Sequence, residues 1–319
     1  MLYSEMKKKA AAELQAAGIE EYEVDAEYLL QHASGLERNE LFIRWNEEIP
    51  NDIEEKYRSL IDRRKSHEPL QYIIGNQDFM GYTFMVTPDV LIPRFDTEIL
   101  AELAIKRARE DINYFNTDEV PQVMGTAANI DNEYKSDAKY RILDLCTGSG
   151  CVATSVGLSL YEKQKNYLID VTGADISSAA VELAKKNWEL NINNFVSKQI
   201  KGTFIESDLF QNIEGKFNLI TANPPYIVRD EIKTLMPEIT EHEPHLALDG
   251  GEDGMDFYRK IVREAPNYLL PGGRLMMEFD DAEAESVAKM METAGFKDIC
   301  IHKDLAGLRR VIEGKHAGA

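Results

Sequence analysis

The chain has 319 residues, 44% of them hydrophobic and 29% charged, which is a soluble, globular balance with enough length to bury a full core in one large domain or in two. A formal charge of −20 and a pI near 4.8 oppose an electropositive nucleic-acid surface. No apolar run reaches spanning length, and the start MLYSEMKKKAAAELQ has no signal-like apolar core, so a cytoplasmic protein with neither membrane nor direct nucleic-acid partner is expected.

From residue 1 to about 75 the pattern is helical. The stretches "MKKKAAAELQAAGI", "VDAEYLLQHASGL" and "DIEEKYRSLIDRRKS" carry apolar positions at helical spacing, separated by Gly18, Gly35 and Pro50, and predict a bundle of three short amphipathic helices. The basic run Arg63, Arg64 and Lys65 sits beside acidic residues and reads as a solvated helix face rather than a phosphate site. From 76 to 96 aromatic and β-branched residues mix with Gly81, Pro88 and Pro93, predicting a hairpin and an extended linker that enters a helix at Thr97. The segment from about 111 to 139 is polar and aperiodic and reads as a loop.

After it strands and helices alternate. "YRILDL", "YLIDVTGAD", "GTFIESD", "FNLITA" and "GRLMMEF" read as strands; "GCVATSVGLSLYEKQ", "SSAAVELAKKNWELNI", "GMDFYRKIVREAPNYL" and "AESVAKMMETAG" read as helices. "FKDICIHKD" and "RRVIEG" close the chain as two strands with little between them. The alternation predicts an α/β fold with a mostly parallel sheet covered by helices, and the closing pair predicts an antiparallel edge.

Cys146, Cys151 and Cys300 lack CxxC spacing, which argues against a disulfide framework or a structural zinc site. His242 and His245 are separated by a proline that interrupts the helix a two-histidine metal face needs. No metal is expected.

In a sheet of this kind ligands gather at the carboxyl ends of the strands. Four such ends are polar here. The first gives Asp144, Cys146, Thr147, Gly148, Ser149 and Gly150, where glycines let backbone N–H groups approach a ligand at a helix N-terminus; the same residues also suit a tight strand-to-helix turn. The second ends on Asp175, followed by Ile176, an acid suited to both hydroxyls of a ribose or, equally, to capping the next helix. The third ends on Asp208, with Leu209 and Phe210 placed to cover a base. The fourth ends on "NPPY", Asn223 to Tyr226, where two prolines mark the chain's exit from the sheet; Asn-Pro is also ordinary turn chemistry. Ala153, three residues after Gly150, breaks a dinucleotide fingerprint, and the lysine of a P-loop is missing.

Taken together, "DLCTGSG", Asp175, Asp208 and "NPPY" resemble a class I S-adenosylmethionine-dependent methyltransferase, in which "NPPY" marks enzymes acting on planar nitrogens. "EPLQYIIGNQDFMGYTFMVTPDVLIPRFDTE", "HEPHLALDGGEDGMDFYRKI", "LLPGGRLMMEF" and "KDLAGLRRVI" are similar to the PrmC/HemK family of release factor glutamine methyltransferases, nearly end to end. The chain departs from that family at Phe95 (usually proline), Cys146 (usually glycine), Phe279, Asp280 and Glu283 (usually Ile, Gly and Gln), and Arg309 (often an acid or amide).

The resemblance implies a Rossmann-like seven-stranded domain from 97 to 319 behind a helical substrate-recognition domain at 1 to 75. It implies S-adenosylmethionine as cofactor, held by Asp144, the 146–150 loop, Asp175, Ile176, Asp208, Leu209 and Asn223. It also implies class 1 peptide chain release factors as partners, methylated on the Gln of Gly-Gly-Gln, by a monomer. On this reading Asn223, Pro224 and Tyr226 are catalytic and, with Pro225, bind substrate. The Asn223 side-chain oxygen and the Pro224 carbonyl take the amide N–H groups, and Tyr226 stacks on the amide plane. An exocyclic amine of DNA or RNA, a ribosomal-protein glutamine, and a binding role without chemistry are the alternatives.

Overall fold

The structure, a computed structural model, describes residues 1–115, 139–164, 167–193 and 199–318. Its chain forms two compact units. One comprises Met1–Asn76, Val86–Pro88 and Leu235–Glu243, and the other Gln77–Met85, Asp89–Thr234 and Pro244–Ala319.

The first unit is a helical bundle. α1 (Tyr3–Ala16), α2 (Tyr22–Ser34) and α4 (Asn51–Lys65) are the three predicted helices, and α3 (Arg38–Ile43) and α5 (Leu70–Ile74) are two more. Both additions are only one or two turns long, too short for helical periodicity to register. Leu14, Leu29, Leu30 and Tyr57 are fully buried between the helices, and the Tyr57 hydroxyl donates to the Ala26 carbonyl at 2.8 Å. The solvated face expected for Arg63, Arg64 and Lys65 is corrected at its centre. Arg64 is buried, its Nε donating to Asp25 at 2.7 Å and its Nη1 to Glu238 at 3.1 Å, and Glu238 belongs to α9 (Pro237–Thr240). A buried guanidinium needs carboxylates on more than one side, and here they come from distant stretches of chain.

The second unit opens with the expected hairpin, β1 (Asn76–Phe79) and β2 (Tyr82–Met85). It is sealed onto this unit by Phe79 and Phe84 in the core and by Asn187, whose side chain accepts from the Met85 N–H at 2.7 Å and donates to the Met85 carbonyl at 3.0 Å. A turn at Phe95–Thr97 starts α6 (Glu98–Phe115), so residues 111–115 are helix, not the loop expected there; the rest of that loop lies outside the described residues. The helix continues because Ile112 is buried and Asp111 is held by Arg274, with Nη2 at 3.2 Å.

Seven strands follow: β3 (Lys139–Leu145), β4 (Leu168–Asp175), β5 (Ile200–Glu206), β6 (Phe217–Ala222), β7 (Leu269–Glu278), β8 (Phe296–Lys303) and β9 (Arg309–His316). They lie in the order β5-β4-β3-β6-β7-β9-β8, parallel from β5 through β7, with β9 antiparallel to both its neighbours. Strand residues alternate between two cores, as a sheet covered on both faces requires. Ile142, Leu219, Met276 and Val311 face the side of α6, α7 (Cys151–Lys163) and α8 (Ser178–Ile192). Leu143, Ile220, Met277 and Ile312 face α10 (Asp256–Tyr268) and α11 (Ala284–Thr293). All the parallel strands therefore point their carboxyl ends one way, and the four polar sequence ends gather there.

Candidate active site

After β3 the chain turns sharply. Cys146, Gly148 and Gly150 have φ of +54°, +53° and +77°, so three of the five residues from 146 to 150 are left-handed and one of them carries a side chain. The turn is pinned from below. Thr147 Oγ1 donates to Asp144 Oδ2 at 2.6 Å, Thr221 Oγ1 donates to Asp144 Oδ1 at 2.7 Å, and the Thr147 N–H donates to the Ala174 carbonyl at 3.0 Å. Asp144 is buried, and burial pushes its carboxyl up to about 6 against the pull of those two hydroxyls. It is thus a strut joining β3, its turn and β6. Gly150 allows α8 to approach: a Cβ there would stand 3.0 Å from Ala184 Cβ. In front of Gly148 a Cβ would meet nothing within 4 Å, leaving open space.

Asp175, at the end of β4, accepts from the Gly148 N–H at 2.9 Å and the Ser177 N–H at 3.0 Å, while Ser177 itself caps α8 through Ala180 N at 3.2 Å. Ser177, not Asp175, is therefore the cap of α8, and Asp175 instead braces the turn after β3, with lone pairs beyond the two used here. Ile176 beside it is half exposed. β5 stops at Glu206, two residues before the predicted end, and Asp208 is exposed in the following turn. Leu209 and Phe210 do not stand ready to cover a base: both are buried, and Phe210 stacks on Tyr268 at 4.5 Å between centroids. Apolar neighbours on β6 and α10 claimed them first. Burial, then the fields of Asp175, Asp144 and Asp208, raise the Cys146 thiol, so three carboxylates converge on this turn.

β6 delivers Asn223 at its end. Pro224 and Pro225 are buried, and Asn223 and Tyr226 are partly exposed. Asn223 Nδ2 donates to Thr97 Oγ1 at 3.1 Å. Glu278, the last residue of β7, is hydrogen-bonded by the side chains of Thr97 and Asn223. It is almost fully buried, and burial raises its carboxyl to about 7, with Asp96 adding to the rise and Arg310 opposing it. Thr97 has one hydroxyl proton, and an acceptor-only carboxylate takes it; toward Asn223 the hydroxyl can then only accept. This network decides which end of the amide is which: Nδ2 faces Thr97 and Oδ1 faces away.

The backbone of Tyr226 is held by glycines. A Cβ on Gly250 would lie 2.7 Å from the Tyr226 Cα, and one on Gly254 would lie 2.5 Å from its carbonyl oxygen. Ile227 bridges to Asp249 in parallel, with its N–H donating to the Leu248 carbonyl at 3.0 Å and its carbonyl accepting from Gly250 at 2.9 Å. Burial raises the Tyr226 phenol, which faces the charges of Glu278, Arg310, Asp280 and Arg94. Thr97, Glu278, Gly250 and Gly254 were not singled out from sequence. A lone Glu ending an apolar strand was the available signal for one, and "DGGEDG" for the glycines.

The family departures have local explanations in part. Cys146 occupies a left-handed position that glycine takes without strain. Asp280 accepts from the Ala282 N–H at 3.2 Å, starting the turn into α11, and Phe279 is core. Arg309 Nε donates to Asp281 at 2.8 Å and its Nη1 pairs with Glu285, so the acid stands across the pair instead of at 309. Phe95 is exposed and nothing in the structure explains it. Cys300, His302 and Glu313 form a trio with metal-like spacing, but Arg107 and Arg274 already occupy both Glu313 oxygens and would repel a cation. No helix among the described residues is long and apolar enough to cross a membrane.

A seven-stranded sheet of this order with antiparallel last strands, carrying a glycine turn after its first strand and a carboxylate after its second, defines a class I S-adenosylmethionine-dependent methyltransferase. Residues 5–75 match the PrmC N-terminal domain and residues 124–252 the methyltransferase small domain. The release factor glutamine methyltransferase of Geobacter sulfurreducens is 38% identical, with 93% of this chain and 91% of the relative covered. That of Thermodesulfovibrio yellowstonii is 38% identical over 90% of each. The chain belongs to the release factor glutamine methyltransferase family. Among solved structures, the hMettl16 catalytic domain in complex with MAT2A 3'UTR hairpin 1 has the same fold, with a TM-score of 0.50 at 13% identity over 90% of this chain and 91% of that one.

Proposed function

We propose that this chain methylates the side-chain amide nitrogen of the Gln in the Gly-Gly-Gln segment of class 1 peptide chain release factors, using S-adenosylmethionine. The observation that carries the reading is the orientation of Asn223, whose amide oxygen is turned away from Thr97 and is left as an acceptor at the end of β6. A carboxamide nitrogen is a weak nucleophile because its lone pair is delocalised into the carbonyl. Two fixed acceptors that take its N–H groups raise its reactivity and aim it; Asn223 Oδ1 and the Pro224 carbonyl fill those roles, and Tyr226 stacks on the amide plane. Buried prolines hold the acceptor loop still at little entropic cost. Positioning of this kind supplies the acceleration.

The residues after β3 and β4 fit the cofactor. Space opens in front of Gly148, Asp175 keeps lone pairs for ribose hydroxyls, Ile176 offers an apolar flank, and Asp208 lies exposed in the next turn. When bound, S-adenosylmethionine supplies an electrophilic methyl on a cationic sulfur, a charge that suits a turn where three carboxylates converge. The helical unit serves to recognise the release factor, a role supported by its match to the PrmC N-terminal domain. Incubation with S-adenosylmethionine and a release factor, followed by fragmentation mass spectrometry, should place one methyl on the Gln side chain of Gly-Gly-Gln. Label entering only nucleic acid under the same conditions would refute the assignment.

A further inference from the structure

We infer that Glu278, acting on the Asn223 amide directly and through the hydroxyl of Thr97, is the positioning residue that fixes which end of that amide faces the acceptor; this rests on the role of Asn223 proposed above. An unassisted Asn side chain rotates between two nearly isosteric states, one presenting oxygen and the other NH2. The second state would offer donors to a substrate amide whose N–H groups also donate, and would be unproductive. Thr97 alone cannot choose between them, because a hydroxyl both donates and accepts. Glu278 makes the choice by taking the hydroxyl proton, so that Thr97 can only accept from Asn223, and by accepting from the Asn223 amide itself, which only the NH2 end can offer. The three side chains come from the turn before α6 and the ends of two neighbouring parallel strands, Thr97 and Glu278 are each about 3% exposed, and water therefore does not scramble the order.

The Glu278 Oε2 is buried and has no hydrogen-bond partner among the described residues, so the carboxyl's bonds come from Thr97 and Asn223 on its other oxygen. The groups facing it are Asp96 before α6, Arg310 on β9, Tyr226 after β6, Cys151 on α7, and Tyr258 on α10, whose hydroxyl donates to the Glu278 carbonyl at 2.9 Å. Protonation would give the carboxyl a donor of its own, which competes for the Thr97 oxygen and releases Asn223. Turnover should therefore rise as Glu278 ionises.

The test compares Thr97→Val, Thr97→Ser and Glu278→Gln with the native enzyme, measuring kcat and KM for release factor, affinity for S-adenosylhomocysteine by calorimetry, and the pH profile of kcat. Thr97→Val should lower kcat about tenfold to hundredfold with KM and S-adenosylhomocysteine affinity within about threefold, the signature of lost orientation rather than lost binding. Thr97→Ser should restore kcat to within about threefold, since it keeps the hydroxyl. Glu278→Gln should lower kcat and abolish the rising limb centred near 7. Native kcat in Thr97→Val, equal damage in Thr97→Ser, or a loss carried by affinity would overturn the inference. Asn223→Ala assayed alongside separates the two readings: full activity there ends the assignment of Asn223 itself, whereas an inactive Asn223→Ala with fully active Thr97→Val and Glu278→Gln ends only the positioning role of Thr97 and Glu278.

Discussion

The turn after β3 and the turn after β6 lie side by side, their strands paired in parallel from Ile142 with Leu219 to Leu145 with Ala222, yet they are built on opposite plans. The first uses glycines and left-handed residues to free backbone N–H groups and leave space, while its acid, Asp144, is turned inward. The second uses prolines to delete N–H groups and freeze the backbone, and its chemistry comes from side chains ordered by a buried acid. A surface meant to hold a ligand with many polar edges gains from backbone donors. A surface meant to aim one nitrogen gains from rigidity and from acceptors of known direction. Asp144 itself ties the two together through Thr221.

Cutting that tie is the most damaging way to test the comparison. Asp144→Ala leaves two buried hydroxyls without their acceptor and should cost about 3 to 5 kcal/mol, read as a fall in thermal midpoint together with lost cofactor stabilisation. Asn223→Ala attacks the second turn alone. Its kcat should fall about hundredfold or more, roughly 3 kcal/mol of transition-state stabilisation, with S-adenosylhomocysteine affinity changed only several-fold. If both fell together, the division of labour between the turns would be wrong.

Glu278 sharpens the contrast through pH. Its folded carboxyl is raised to about 7, so the folded protein holds that proton more tightly than the unfolded chain; the stability this contributes is present in acid and is lost as pH rises through about 7. Glu278→Gln removes the loss. Relative to the native protein, its unfolding free energy should therefore improve by about 2 kcal/mol between pH 5 and pH 8, measured by urea denaturation at each pH. The smallest effect belongs to the first turn. Cys146→Gly relieves a left-handed side chain and should change stability by about 1 kcal/mol or less, in the favourable direction; a destabilised variant would mean that the thiol packs better than its backbone suggests.

The sheet was legible because each strand is a short apolar run bounded by turn residues, and because "FNLITA" coincides with β6 residue for residue. The polar strand ends were legible for the same reason: they interrupt runs that are otherwise apolar. What stayed hidden depends on partners far along the chain. Thr97 is 126 residues from Asn223, and Arg64 is 174 from Glu238, so neither the ordered amide nor the buried guanidinium leaves a local trace. Phe210 read as an available aromatic because hydrophobicity does not say which apolar surface a residue will meet. The end of α6 was missed because the polar, aperiodic stretch that follows masks its last turn, and because Asp111 is held by Arg274, 163 residues along the chain.

One strand arrives late in synthesis and matters early in the architecture. β9 slots between β7 and β8, where the Phe279 N–H donates to the Arg310 carbonyl at 3.0 Å and Val311 pairs with Glu278. Until residues 309–316 have left the ribosome, the strand bearing Glu278 has an open edge and the acid has no wall on that side. Nonsense fragments that stop short of Arg309 should consequently be sticky and inert, however much of the enzyme they contain.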